Sequence, residues 1–166
     1  MDCTHIPEIS CFYSDTIASH ILNPSAHFEY EMILVTDGSA QVQIHDRTYP
    51  LQRGSLLFIS RLEQHQFCIV KEPYCRYVLS VSSDLLLSHL NEPRLASIFM
   101  QRPEYFSHVV QLNEEQLAYF LPFFQKSADE YEKQSDFYTL QSIALLLSVL
   151  ISLYRLYPNA FPMEDS

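Results

Sequence analysis

The amino-acid sequence predicts a mainly β domain, a sandwich or barrel, with helices gathered towards its C-terminal end. Between Phe28 and Ser82 short β-rich runs recur at regular spacing: EMILVTD, AQVQIHD, SLLFIS, HQFCIV and CRYVLSV, separated by DGS, DRTYPLQRG, RLEQ and KEPY. Beyond Asn113 the apolar period lengthens from that of a strand to that of a helix. At 166 residues, nearly half of them apolar, the chain is long enough to bury a core of its own.

The N-terminus, MDCTHIPEIS, lacks the basic start and apolar run of a signal peptide. None of the four cysteines, Cys3, Cys11, Cys68 and Cys75, forms a CxxC pair. The expectation is a cytoplasmic chain with reduced thiols, although Cys68 and Cys75 flank the KEPY turn, where a hairpin disulfide is geometrically imaginable. An N-terminal arm through His5 and Tyr13 has the reach to close over a pocket.

The run HFEYEMILVTDG, residues 27 to 38, reads as a strand entering a glycine turn. On a pleated strand His27, Glu29 and Glu31 share a face with Ile33 and Val35, while Phe28, Tyr30, Met32 and Leu34 share the other. One face is wholly apolar; the other gathers an imidazole and two carboxylates at one end.

After the strands, Ser83 is expected to cap a short helix DLLLSHL, Asn91 another through EPRLASIF, and FSHVVQL to add a strand. Asn113, with Gln116 three residues on, has the form of a capping box opening a helix through Gln134. Leu117, Phe120, Leu121, Phe124, Ala128 and Tyr131 lie on one side of it, and Pro122 should bend it. The last pattern, DFYTLQSIALLLSVLISLYRLYP, carries no charge from Phe137 to Tyr154 and has the length of a membrane span. Gln141, Ser148, Ser152 and Arg155 nevertheless form one polar stripe, which predicts an amphipathic helix in water. Its apolar surface is wide. Leu140, Ile143, Ala144, Leu147, Leu150, Ile151 and Tyr154 make one face, and Leu146, Val149, Leu153 and Leu156 a second. One face buried on the strands leaves the other for the preceding helix or a second copy of the chain, and Leu146, Val149, Leu153 and Leu156 are the expected homodimer contact.

The organisation expected is a ligand-binding barrel with an N-terminal arm over residues 1–112, a helical hairpin over 113–157, and the start of a linker or tail over 158–166. A formal charge of -10 repels a polyanion, so direct DNA binding by this chain is excluded.

The intervals in the strand region resemble those of the cupin superfamily, small double-stranded β-helix (jelly-roll) barrels. His27 stands four residues before Glu31, Gly38 follows, and His65 comes eleven residues after Gly54. The resemblance implies that His27, Glu31 and His65 match three of the four usual metal-ligand positions, the remaining histidine being replaced by Ser25. The proline and second glycine of the later motif fall on Ser60 and Leu62, and its asparagine on Ile69. Two imidazoles and a carboxylate suit a divalent transition metal such as zinc, iron or manganese. The same residue types suit a polar organic ligand, or a purely structural hydrogen-bonded cluster.

The order His27, Glu31, Gly38, Tyr49 with Leu51, Gly54 to Leu56, His65, and Arg76 to Leu79, followed by a pair of helices, resembles the N-terminal sensor domain of AraC/XylS-type transcription regulators, over about Ser14 to Pro158. That resemblance implies a cupin-type barrel followed by an antiparallel helical hairpin, a small polar effector such as a sugar-like molecule, a homodimer, no membrane, no enzymatic activity, and DNA contact only through a helix-turn-helix domain outside this chain. The expected ligand-binding residues are His27, Glu29, Glu31 and His65, with Gln43 and Tyr77, whose inward facing depends on a register that one residue would reverse. The alternative expectation is a metal-dependent cupin enzyme, an oxygenase or isomerase, using His27, Glu31 and His65.

Overall fold

Two long strands carry the architecture. In the computed structural model, which describes residues 7–17, 25–100 and 102–162, these are β2 (Tyr30–Ile44) and β5 (His65–Val81), paired antiparallel along their lengths. Strand β1 (Ile9–Thr16) pairs with β5, β3 (Arg47–Leu51) and β4 (Ser55–Ile59) with β2, and the short β6 (Val109–Gln111) with β4. The order is β1-β5-β2-β4-β6, with β3 added beside β2, and every pairing is antiparallel. Helices α1 (Ser83–His89) and α2 (Pro93–Ala96) precede β6; α3 (Glu114–Lys133) and α4 (Tyr138–Leu156) follow it.

Alternation along the strands builds two cores. Ile33, Val35, Leu57, Ile59 and Val78 point to the inner face, where they join Val42, Ile44, Leu51, Ile69 and Tyr74. Tyr30, Met32, Leu34, Leu56, Phe58 and Leu79 point outward and are covered by Phe120 and Phe124 of α3 and Leu146, Val149, Leu150 and Leu153 of α4. Strand β4, SLLFI, is buried at every position because it is packed on both sides.

The expected strand pairs EMILVTD/AQVQIHD and HQFCIV/CRYVLSV are each one continuous strand with an irregularity in the middle. The register of β2 against β5 shifts between Val35 and Ala40. Before the shift odd-numbered residues of β2 face inward; after it Ala40, Val42 and Ile44 do. Strand β5 changes parity across the same place, from Ile69 to Tyr74 and Val78. Bulges of this kind bend long strands around a barrel. They also correct two expectations: Gln43 is exposed, on the face opposite Val42 and Ile44, and Tyr77 points outward to the rings of Tyr13 and Phe124. Counting by twos from Glu31 and from His65 carries both residues to the wrong face.

Gly38 sits at the β2 bulge with φ +70, and a Cβ there would lie 2.0 Å from the carbonyl oxygen of Pro73 on β5. Gly38→Ala should therefore cost at least about 2 kcal/mol, from left-handed strain and a backbone clash together. Chemical denaturation of the two proteins checks this, and an unchanged midpoint would show that the bulge can shift.

Other elements differ from expectation locally. The cap of α1 is Ser82, whose Oγ accepts from the Leu85 N–H, rather than Ser83, and α2 is capped by Glu92 rather than Asn91. The capping box of α3 forms as expected: Asn113 Oδ1 accepts from Gln116 N at 2.8 Å and Gln116 Oε1 from Asn113 N at 3.0 Å. The segment read as a covering arm is the edge strand β1, with Tyr13 on it; His5 and Cys3 lie outside the described residues. Cys11, Cys68 and Cys75 are free thiols.

Helix α4 is long and apolar enough to cross a membrane, but its face carrying Leu146, Val149 and Leu153 is packed in the outer core of the same chain. This corrects the expected dimer contact. Leu146, Val149 and Leu153 are at most 2 % exposed, and only Leu156, at 47 %, remains open. The apolar stripe left at the surface runs through Phe137, Leu140, Ala144 and Ile151, with Leu147 partly covered.

Candidate functional site

The inner core closes over the middle of the barrel. Val35, Val42, Ile44, Leu57 and Ile59 are all 0 % exposed, so among the described residues the middle of the barrel is packed hydrocarbon rather than a polar lining. The polar residues collect at one end, where β2 begins and the β4–β5 loop enters β5. Ser25 and His65 exchange main-chain hydrogen bonds, at 2.9 and 3.0 Å, and the Leu62 N–H donates to the His27 carbonyl at 2.7 Å. These bonds bring a segment before β2 against one forty residues away.

Three of the expected site residues meet there. His27 Nε2 is 3.2 Å from Glu31 Oε1, and the rings of His27 and His65 are 5.0 Å apart, edge to face. Ser25 stands where the cupin pattern has its other histidine, and its Oγ lies 3.2 Å from His65 Nε2. Glu31 reaches Ser80 Oγ across the β2–β5 pair. Burial pushes the Glu31 carboxyl up to about 7; the His65 ring and the Ser80 hydroxyl oppose the rise, and the neighbouring Glu29 charge adds to it. His27 Nδ1 is buried with no hydrogen-bond partner among the described residues. A polar atom left unpaired in this way costs about 1–3 kcal/mol, which a ligand can recover.

The metal implied by the cupin pattern fits this donor set. One ligand atom each from His27, Glu31 and His65 lies within 4.8 Å of the other two. His65 Nδ1 donates to the Glu63 carbonyl at 2.9 Å, leaving Nε2 as a lone pair facing the cluster. His27, Glu31 and His65 would hold a divalent cation, which on binding would polarise a coordinated oxygen.

A second polar cluster lies behind the first and was not anticipated. The Glu63 carboxylate is paired with Arg102, with His108 Nε2 at 3.0 Å and with His45 Nε2 at 3.4 Å, and accepts from the Ser60 N–H at 3.1 Å. His108 Nδ1 is 2.8 Å from the Tyr49 hydroxyl, and Arg47 donates to the Phe106 carbonyl at 2.6 Å. Burial alone would raise the Glu63 pKa; His108, Arg102 and the Ser60 N–H outweigh it and hold the carboxyl at about 2. Beside this network is an open cavity of about 500 Å³ lined by His45, Arg47, Glu63, Arg102, Phe106 and His108 among others. Neither Arg102 nor His108 has a spacing to Glu63 that marks it in sequence; only the position of Glu63 two residues before His65 was a clue.

Comparison with known proteins bears on fold and family. The fold is similar to that of an apo ToxT variant from Vibrio cholerae, with a TM-score of 0.60 and 12% identity, covering 96% of this chain and 60% of that one. A cupin 2 conserved barrel domain protein from Salinispora arenicola aligns over 51% of this chain and 72% of its own, with 15% identity and a TM-score of 0.42. The DMSP lyase DddQ from Ruegeria pomeroyi aligns over 46% and 39% respectively, with 16% identity and a TM-score of 0.42. No curated protein matches the chain by sequence. The model of the AraC-like ligand binding domain matches residues 7–150. With an antiparallel β-sheet domain, two C-terminal helices packed on its outer face, and that match over most of its length, the chain belongs to the AraC-like ligand binding domain family.

Proposed function

We propose that this domain is the effector-sensing and dimerisation part of a cytoplasmic bacterial transcription regulator, taking a small polar effector at the barrel mouth and acting on DNA through a separate helix-turn-helix module. The observation that carries the reading is the convergence of His27, Glu31 and His65 from two distant segments, with a buried nitrogen of His27 that has no hydrogen-bond partner among the described residues. Of the other expected ligand residues, half-buried Glu29 stays in the proposal as a neighbouring charge, while Gln43 and Tyr77 drop out. The effector site is the mouth of the barrel rather than its packed middle. Binding alters regulation only through the difference in affinity between two arrangements of the domain. A resident divalent cation held by the same three residues is the second reading, favoured by their mutual distances.

A thermal-shift panel of sugars, organic acids, amines and divalent metals tests both. A true ligand at a hundred times its Kd adds about 2.7 kcal/mol, a rise of roughly 5–10 °C for a domain of this size. The rise should vanish in His65→Ala. An equal rise in that variant would remove the mouth as the binding place. For dimerisation the surface proposed is the exposed stripe of Phe137, Leu140, Ala144, Leu147 and Ile151, in place of the stripe the structure buries.

A further inference from the structure

His65 is only 3 % exposed, and its proton has one place to sit. A carbonyl oxygen can only accept, so the 2.9 Å bond from His65 Nδ1 to the Glu63 carbonyl fixes the proton on Nδ1 and leaves Nε2, with the Ser25 hydroxyl 3.2 Å away, as an acceptor beside His27 and Glu31. That carbonyl belongs to a short loop between β4 and β5 in which Leu62 has φ 59 and is 54 % exposed. Its main chain is tied by the Leu62 N–H to the His27 carbonyl at 2.7 Å and by the Glu63 N–H to the Ser60 carbonyl at 3.3 Å, bonds that leave the Glu63 carbonyl free for His65.

The Glu63 side chain supplies a further anchor. It pairs with Arg102 and His108, whose side chains are 7 % and 8 % exposed, and with the Ser60 N–H. Arg102 in turn donates to the carbonyls of Phe58 and Ile98, at 3.1 and 3.4 Å, and the Ser60 hydroxyl donates to the Phe99 carbonyl at 2.6 Å. Ile98 and Phe99 are fully buried in the outer core that α4 shares. Glu63 thus faces two ways: its main chain holds the histidine of the mouth, and its carboxylate locks onto the segment between α2 and β6.

We infer that Glu63 is the positioning residue of the mouth site, setting the tautomer and orientation of His65 from behind, with Arg102 and His108 as the groups that hold Glu63 in place. The inference rests on the mouth being the binding site proposed above. Groups that orient a ligating histidine in this manner are worth 10–100-fold in metal affinity.

Nitrogen-15 NMR of the histidine rings reads the tautomer directly, and cobalt(II) titration followed by visible absorption reads the site. In the wild-type protein His65 should be a single Nδ1–H tautomer. Glu63→Ala should mix the tautomers and weaken cobalt binding by about 10–100-fold, while Glu63→Gln, which can still accept from Arg102, should restore the single tautomer and most of the affinity. Should Glu63→Ala fail to fold, His108→Ala, which removes one of the anchors of Glu63, takes its place with the same tautomer readout. A folded Glu63→Ala or His108→Ala protein with the wild-type tautomer overturns the inference. If the wild-type protein binds no cobalt, the metal reading falls by itself, and the tautomer comparison still decides the role of Glu63.

Discussion

Replacing Leu146 and Leu153 together by glutamate is expected to unfold the chain rather than release a folded monomer. Both side chains are 0 % exposed in the core between α4 and the outer face of the sheet. Each substitution removes about 1.5–3 kcal/mol of apolar burial and places a carboxylate where nothing pairs with it, a further cost of several kcal/mol. Together these approach or exceed the 5–15 kcal/mol by which domains are ordinarily stable. Leu140→Glu with Ile151→Glu should behave in the opposite way, because those positions are 57 % and 38 % exposed. That pair should keep the wild-type circular dichroism and, on the dimer contact proposed above, shift the sedimentation coefficient from that of a dimer to that of a monomer, with the melting temperature lowered only by the lost association. A folded, monomeric Leu146→Glu, Leu153→Glu protein would mean that α4 does not pack on this barrel.

The direction of α4 is legible in its polar stripe rather than in its apolar content. At 100° per residue the polar stripe of Gln141, Ser148 and Arg155 marks the side facing water, and the arc opposite it is centred near Leu146 and Leu153. Following the polar stripe would have sent those leucines inward. Weighing apolar content alone could not separate the two faces, since both are rich in leucine. The strand region shows a different limit. Alternation placed Glu31, Ile33 and Val35 correctly because they precede the bulge, and it failed at Gln43 and Tyr77 because they follow the facing irregularities at Gly38 and Pro73. A glycine turn in a β-rich run looks the same whether the chain reverses there or merely bends. His27, Glu31 and His65 were found through their intervals. Arg102 and His108 were not, because their link to Glu63 is made by tertiary packing and leaves no periodic trace.

The two glutamates at the mouth and behind it should give the domain a stability optimum in mildly acidic solution. Glu63 has a folded pKa of about 2 against an ordinary value of 4.5, so its contribution is complete above pH 4.5 and disappears as the pH falls through 2. The shift corresponds to about 3 kcal/mol. Glu31 acts in the reverse sense. Its folded pKa of about 7 lies above 4.5, so the folded state holds the extra proton; the resulting stability is complete below pH 4.5 and is lost as the pH rises through 7, again about 3 kcal/mol. Urea denaturation from pH 3 to 8 should show both slopes. Glu63→Gln should flatten the acid limb relative to the wild type, and Glu31→Gln the limb between pH 4.5 and 7, with each leaving the other limb in place. Because the folded form with Glu31 ionised is the unfavourable one, any cation that settles beside His27 and His65 should stabilise the wild-type protein more at pH 8 than at pH 5, and should do so little in Glu31→Gln. Equal stabilisation at both pH values would mean that the cation binds away from Glu31.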